Sequence, residues 1–182
     1  MRPRPGDRLL VHGAAGGVGT AAVQLAAAAG ARVVASVRNR DHHRAVAELG
    51  ADVVAEPTQA FAEGPFDVIL ELIGAPNFPA NLDALATGGR LMVIGVGAGA
   101  TVELDLRKLM GRRSRVLASH LRLRALEEKA DAARRVEHQA LPLLADGRLR
   151  VPVAATFPLA DAHAAYDRFA SGGKLGKLVL VT

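Results

Sequence analysis

Cysteine and tryptophan are absent from the 182 residues, and tyrosine occurs once. Without cysteine there can be no disulfide and no thiolate metal site. The six histidines (His12, His42, His43, His120, His138 and His163) do not fall into H-E-x-x-H or a similar ligand spacing, so no metal site is expected. Aromatic residues make up 3% of a chain that is 50% hydrophobic, so the core must be aliphatic. Long apolar runs are also lacking. No stretch approaches 18 residues without a charge, so no membrane span is expected. The start "MRPRPGDRLL" is basic, but its apolar part is too short for a signal peptide, and a cytoplasmic location is the expectation. The net charge is +5, yet the basic residues are not interleaved with aromatics for base stacking. They read as a solvated surface, and a nucleic-acid partner is not expected. No serine sits in a G-x-S-x-G elbow, "LEEKAD" reads as a solvated helix face, and Tyr166 reads as a packing residue. The chain offers no obvious general acid or base, so no catalytic residue is assigned.

What the sequence does contain is an alternation. Short Val/Leu-rich runs at 8–13, 31–37, 66–74, 90–97 and 114–122 read as buried strands, and "ADVVAE" as a shorter one. Helical patterns separate them: one closed by Gly30, one over 40–50, one from "FPANLDALATGG", and a longest helix over 125–147 kinked at Pro142. After these come "VPVAATFPL", a helix in "ADAHAAYDRFASGG" and a last strand "KLVLVT". Such alternation predicts a doubly wound parallel α/β sheet of Rossmann type, covered by helices on both faces. We expect a single domain over 1–182, with its core at about 6–123 and helices and tail at 124–182. Only "RPRPG" looks like a linker.

The segment 9–37, LLVHGAAGGVGTAAVQLAAAAGARVVASV, holds five glycines, four of them around one strand-to-helix turn. In a doubly wound fold that turn aims free N–H groups and the positive end of a helix at a phosphate. A dinucleotide pyrophosphate comes close enough there that a Cβ would clash. The usual fingerprint is G-x-G-x-x-G. Here it reads Ala14-Ala15-Gly16-Gly17-Val18-Gly19, with Gly16 as the close-approach glycine and Gly19 allowing the helix to pack on the sheet. The strand-turn-helix context is what confirms such a motif.

The second strand decides the adenosine ribose. A site for NAD places Asp or Glu at its end. Here Ser36 and Val37 occupy that place, followed by Arg38, Asn39, Arg40 and His42. Guanidinium forks suit a 2′-phosphate, so NADP(H) is the expected cofactor. Asp41 is expected to cap the following helix.

With these residues in view, "GDRLLVHGAAGGVGTAAVQLA" resembles the nucleotide-binding half of the medium-chain dehydrogenase/reductases, in their zinc-independent quinone oxidoreductase branch. The resemblance runs on through "AELGADVV", "FDVILELIGAPNFPANLDALATGGRLMVIG", "VELDLRKLMGRRSRVLASHLR", "PLLADGRL" and "FPLADAHAAYDRFASGGKLGKLVLV". It implies NADPH-dependent reduction of a quinone or an activated alkene such as an enone. By motif match it implies that Leu72, Ile94, Gly95, Val96, Ala118, Ser119 and His120 line the nicotinamide. Two positions depart from the pattern: Pro57 stands where NADPH-using relatives often carry Tyr, and His42 where a Lys is common. A GroES-like substrate lobe precedes the nucleotide lobe in the family. This chain begins five residues before "GDRLLV", so that lobe is expected to be missing and the tail strands to have lost their partners. The resemblance further implies a homodimer, or a complementing GroES-like lobe. Two alternatives stand beside the oxidoreductase. One is a non-catalytic NADPH-binding module. The other is the enoylreductase domain of a polyketide synthase, which carries a similar "HxAAGGVG" stretch.

Overall fold

A computed structural model describes residues 3–182. Its elements, in chain order, are β1 (Arg8–Val11), α1 (Gly17–Ala28), β2 (Arg32–Ser36), α2 (His43–Ala47), β3 (Val53–Ala55), α3 (Pro57–Ala60), β4 (Phe66–Glu71), α4 (Phe78–Ala84), β5 (Leu85–Val93), α5 (Leu106–Arg112), β6 (Arg115–Ala118), α6 (Leu126–Gln139), α7 (Leu141–Ala145), β7 (Val153–Pro158), α8 (Ala162–Ala170) and β8 (Lys177–Val181). Six strands form one parallel sheet in the order β3-β2-β1-β4-β5-β6. The order reverses direction beside β1. In open α/β sheets such a switch point is where ligands bind, at the carboxyl ends of the strands.

Two apolar layers explain why the central strands read as continuous apolar runs, and the core is not purely aliphatic as expected, since Phe66 and Phe78 are buried in the second layer. Successive side chains on a strand point to opposite faces. Leu9 and Val11 therefore join Val33, Ala35, Val23, Ala26 and Val46 on the α1 side. Leu10 joins Val34, Phe66, Ile69, Phe78 and Leu82 on the α4 side. Both faces of β1 are covered, so neither tolerates a polar alternation. β6 is different: it closes the sheet, and all four of its residues are exposed.

Several boundaries differ from the sequence expectation. The helix expected over 40–50 opens as a 3₁₀ turn, Arg40–His42, capped by the Asn39 side chain, which accepts from the Asp41 N–H at 3.0 Å. The cap is thus Asn39 and not Asp41, because the helical turn already begins at Arg40 and takes Asp41 into it. β5 begins at Leu85, not 90. Leu85 pairs with Phe66, and the register then jumps so that Arg90 pairs with Val68. β5 also stops at Val93, where the Glu71 carbonyl accepts the N–H groups of both Ile94 and Gly95, at 2.9 and 3.1 Å. At Pro142 the expected kink is a full break: α6 ends at Gln139 and α7 restarts with Pro142 in its first turn, where a missing N–H is tolerated. Tyr166 is 72% exposed, not packed, because α8 turns Ala165 inward instead.

The tail is tied to the nucleotide half. Gln24 of α1 clamps residue 150, its Oε1 accepting from the Arg150 N–H and its Nε2 donating to the Arg150 carbonyl, at 2.8 and 2.9 Å. The Gly176 N–H donates to the Ala15 carbonyl at 2.8 Å. β7 and β8, which in the family return to the substrate lobe, pair with each other here, in parallel. Of the linker-like "RPRPG", Arg2 lies outside the described residues. Gly6, at φ +84°, donates its N–H to the Gly30 carbonyl.

Candidate functional site

The glycine turn is built at the end of β1. Gly13 takes a positive φ of +59°, and the Gly16 N–H donates back to the Gly13 carbonyl at 3.0 Å. The Ala14 N–H donates to the Ser36 carbonyl at 3.2 Å, which ties the turn to β2. α1 then starts with GVGT, a first turn without a carboxylate, and its N-cap, Gly16, has no side chain to satisfy the first N–H groups. Those donors and the positive end of the helix remain for an anion. Gly19 has a more local role than helix-on-sheet packing. A Cβ there would sit on the Gly13 carbonyl and 2.6 Å from Ala14 Cα, so Gly19 makes room for the turn's own backbone. Gly16 differs: a Cβ there meets only the Gly13 oxygen, at 3.3 Å.

Beside the turn lies a cavity of about 290 Å³. Gly13, Ala15 and Gly16 wall it from the turn, and Ser36, Val37, Arg38, Asn39 and His42 from the end of β2. Pro57 at the start of α3 and Ile73 and Asn77 after β4 close it, with Gly173 and Lys174 from the tail. Five residues named from sequence therefore meet here: Ala15, Gly16, Arg38, Asn39 and His42. Arg40 does not join them. Its guanidinium pairs with the Glu56 carboxylate, which holds that carboxyl below its usual range and raises the guanidinium. Gly17 and Val18 are in the first turn of α1, outside the cavity lining, and Val18 is exposed.

Two lysines from the tail were missed in the sequence. Lys174 lines the cavity, its Nζ donating to the Gly176 carbonyl at 2.9 Å and lying 5.1 Å from the Phe169 ring centre. Lys177 reaches the turn itself: a Cβ on Gly17 would lie 2.7 Å from its Nζ. A cation parked on the positive end of a helix is a mismatch that an anion between them would remove. The available signal was "GGKLGK", where Gly172 and Gly173, both at positive φ, turn the chain back toward β2. The Gly173 carbonyl then meets Nε2 of His42 at 3.1 Å.

Under the cavity runs a buried polar chain. Glu71, 1% exposed, accepts at Oε1 from the Ile73 and Gly74 N–H groups at 2.6 and 2.9 Å. Asn77 Nδ2 approaches the same oxygen at 3.4 Å. Its Oε2 accepts from Asn81 Nδ2 at 2.7 Å, and Asn81 Oδ1 faces His12 Nε2 at 2.8 Å. Burial pushes the His12 imidazole below its ordinary value, opposed by the Glu71 carboxylate 3.8 Å away and by Asn81.

The residues matched to the nicotinamide share one sheet edge outside this cavity. Leu72 follows β4, Ile94–Gly95–Val96 follow β5, and Ala118 ends β6 before Ser119 and His120. Gly95 packs against the Leu72 backbone, where a Cβ would be 2.8 Å from the Leu72 carbonyl carbon. The Ser119 N–H donates to the Val93 carbonyl at 3.3 Å. Ile94 and Val96 are 41% and 48% exposed, so this edge is open.

Comparison with known proteins agrees with this geometry. The profile of the zinc-binding dehydrogenases matches residues 17–137. An acryloyl-coenzyme A reductase of Metallosphaera sedula is 30% identical over 98% of this chain and 52% of its own length. A quinone oxidoreductase of Rattus norvegicus is 29% identical over 99% and 56%. A phenolphthiocerol/phthiocerol polyketide synthase subunit of Mycobacterium tuberculosis is 30% identical over 98% of this chain and 8% of its own. Among solved structures, a thermostable alcohol dehydrogenase from Pyrobaculum aerophilum superposes with a TM-score of 0.83 at 30% identity, covering 99% of this chain and 52% of that one. A mycobacterial protein in complex with NADPH superposes at 0.82 with 26% identity, over 98% and 57%. The chain spans about half the length of the first curated relatives it matches. Zinc finds no donor set here: the sequence has no cysteine, and the described residues bring no three His, Asp or Glu side chains together. Among the described residues no helix is long and apolar enough to cross a membrane. With a parallel 3-2-1-4-5-6 sheet, a glycine turn at its switch point and a family profile over most of its length, this chain belongs to the zinc-binding dehydrogenase family and corresponds to the nucleotide-binding half of the medium-chain dehydrogenase/reductases.

Proposed function

We propose that the chain is a single NADP(H)-binding domain of an oxidoreductase that reduces a quinone or an activated alkene such as an enone. The observation that carries this is the glycine turn, with its unfilled helix N-terminus and the Lys177 ammonium beside it. The first N–H groups of α1 and Lys177 would hold the pyrophosphate. Arg38, Asn39, His42 and Lys174 would surround the 2′-phosphate. When bound, the nicotinamide supplies the hydride, and the chain's residues bind and orient it. A cytoplasmic location is part of this reading.

Calorimetric titration tests the cofactor preference. The end of β2 offers basic groups and no acid to a ribose 2′-hydroxyl. Hydrogen bonds to charged groups contribute about 1.5–3 kcal/mol, so NADPH should bind on the order of tenfold more tightly than NADH. Arg38→Ala should close most of that gap, whereas Arg40→Ala should not, since Arg40 is engaged by Glu56. Equal affinities for the two cofactors would overturn the preference.

The similarity to a polyketide synthase subunit over 98% of this chain favours one second reading, an enoylreductase domain. It shares the cofactor and the hydride chemistry and differs in the acceptor. A non-catalytic NADPH-binding module is the remaining alternative. Substrate trials with a small quinone, an enone and an enoyl thioester, using a protein that includes a substrate lobe, separate all three.

Self-association belongs to the same proposal. β6 closes the sheet with Val116 and Leu117 exposed, and Met110, Leu121 and Leu123 stand exposed nearby in sequence. An unpaired strand edge next to apolar surface recruits a partner. Light scattering at micromolar concentration should show a dimer; a monodisperse monomer would overturn this part.

A further inference from the structure

We propose that Glu71 is a positioning residue for the dinucleotide: through Asn81 it fixes which nitrogen of His12 carries the proton, leaving His12 Nδ1 as an acceptor for a ribose hydroxyl, and through its own Oε1 it clamps the loop after β4. The inference rests on the dinucleotide reading above and goes beyond it in naming how the floor of the cavity is set.

The polarity of the chain follows from what each group can do. A carboxylate only accepts, so the Asn81 amide must turn its NH₂ to Glu71. That turns Asn81 Oδ1 to His12, and an amide oxygen also only accepts. His12 must then carry its proton on Nε2. A neutral imidazole has one N–H, so Nδ1 is left as a bare acceptor. Nδ1 is buried and makes no hydrogen bond among the described residues, and His12 is one of the residues that line the cavity, with Gly13, Ile73 and Asn77. An unpaired buried acceptor is costly, and such groups in a native protein call for a partner. A ligand hydroxyl is the donor that completes it.

The same residue ties the two ends of the site together. Its carboxylate holds the Ile73 and Gly74 N–H groups, and Gly74 is held at φ +121°. Its main-chain carbonyl accepts from Ile94 and Gly95, on the edge matched to the nicotinamide. That loop is bonded onward, the Ala98 N–H donating to the Ile73 carbonyl and the Ala75 N–H to the Gly99 carbonyl, both at 2.9 Å. Among the described residues the one basic group recorded against Glu71 is the His12 imidazole, 3.8 Å away. The carboxylate is held by N–H donors, as suits a group whose work is to orient.

Nitrogen-15 NMR of the histidines in the 182-residue chain reads the relay directly, with and without NADPH. The unaltered chain should show His12 protonated on Nε2, and NADPH should move Nδ1 toward the hydrogen-bonded range. In Glu71→Gln the new amide keeps its oxygen on Ile73 and Gly74 and offers NH₂ to Asn81. Asn81 then turns over, its NH₂ faces His12, and the proton moves to Nδ1. NADPH affinity should fall about tenfold as the acceptor is lost. The double variant Glu71→Gln/Asn81→Asp places a carboxylate at 81 that accepts from both the new amide at 71 and His12, so it should restore the Nε2–H form and most of the affinity. A residue that merely supports the fold would lower stability without switching the tautomer and without rescue. If Glu71→Gln does not fold, the unaltered chain and the double variant still decide. An Nδ1–H form in the unaltered chain overturns the proposal, as does a double variant that stays in that form or binds NADPH no better than Glu71→Gln. A chain that binds neither NADPH nor NADH overturns the dinucleotide reading and the ligand half of this inference, while the relay still stands or falls on the tautomer.

Discussion

Gly16→Val is expected to give a folded chain that no longer binds NADPH. Gly16 has φ −76° and ψ 169°, an extended conformation that a β-branched residue adopts readily. Its new Cβ would meet the Gly13 oxygen at 3.3 Å, a contact that a few tenths of an ångström relieves. The fold therefore survives, and the melting transition should move little. The valine methyls, however, would occupy the mouth of the helix N-terminus, where the first N–H groups of α1 are open. Losing two hydrogen bonds to a charged phosphate is worth on the order of 3–6 kcal/mol, a hundredfold or more in affinity. Calorimetry with NADPH, alongside a circular dichroism melt, checks both halves. Unchanged affinity would make the turn a purely structural device. Gly19→Ala is the instructive contrast. There the added carbon lands on the Gly13 carbonyl and Ala14 Cα, backbone against backbone, and the turn itself must give way. That variant should lose stability first and binding only as a consequence.

The 182-residue chain alone is expected to bind NADPH yet to reduce quinones only feebly. The cavity encloses the end of the site matched to adenosine, with walls from β2, the β4 loop and the tail. The edge matched to the nicotinamide has no such enclosure: Ile94 and Val96 are both more than a third exposed. Hydride transfer needs donor and acceptor carbons in near-attack geometry, and such positioning can be worth roughly 7–11 kcal/mol of barrier. An open edge also leaves water in contact with the reacting groups. NADPH consumption followed by its absorbance, with a small quinone, should stay near background. Adding a separately expressed GroES-like lobe from a relative should raise it. Full, saturable turnover by the chain alone would refute this, and would mean that its own tail or a second copy walls the substrate.

The alternation of strand and helix could be read before any coordinates, because the two periods, 2 and 3.6, are properties of short segments. The doubly wound sheet follows from that alternation, and "HGAAGGVG" marks the glycine turn because its backbone demands are met within a few residues. Arg38, Asn39 and His42 were legible for the same reason: they follow the end of β2 directly. What the sequence could not order were groups brought together from far apart in the chain. Arg40 looked equivalent to Arg38 until Glu56, 16 residues on, took its guanidinium. Lys174 and Lys177 belong to the tail, and only the folding back of Gly172, Gly173 and Gly176 brings them to the cavity and to α1. Glu71 read as one residue of a strand over 66–74, Asn81 as a helix residue and His12 as one histidine among six. Their hydrogen-bond chain exists because β1 and β4 are neighbours in the sheet and α4 packs over them. Sequence by itself determined the elements and the place of the glycine turn, since local backbone preferences set both. The tertiary structure alone decided which charges line the cavity and that Glu71, Asn81 and His12 meet in one buried chain, because direct ion pairs and hydrogen bonds act over a few ångströms of space and are indifferent to distance along the chain.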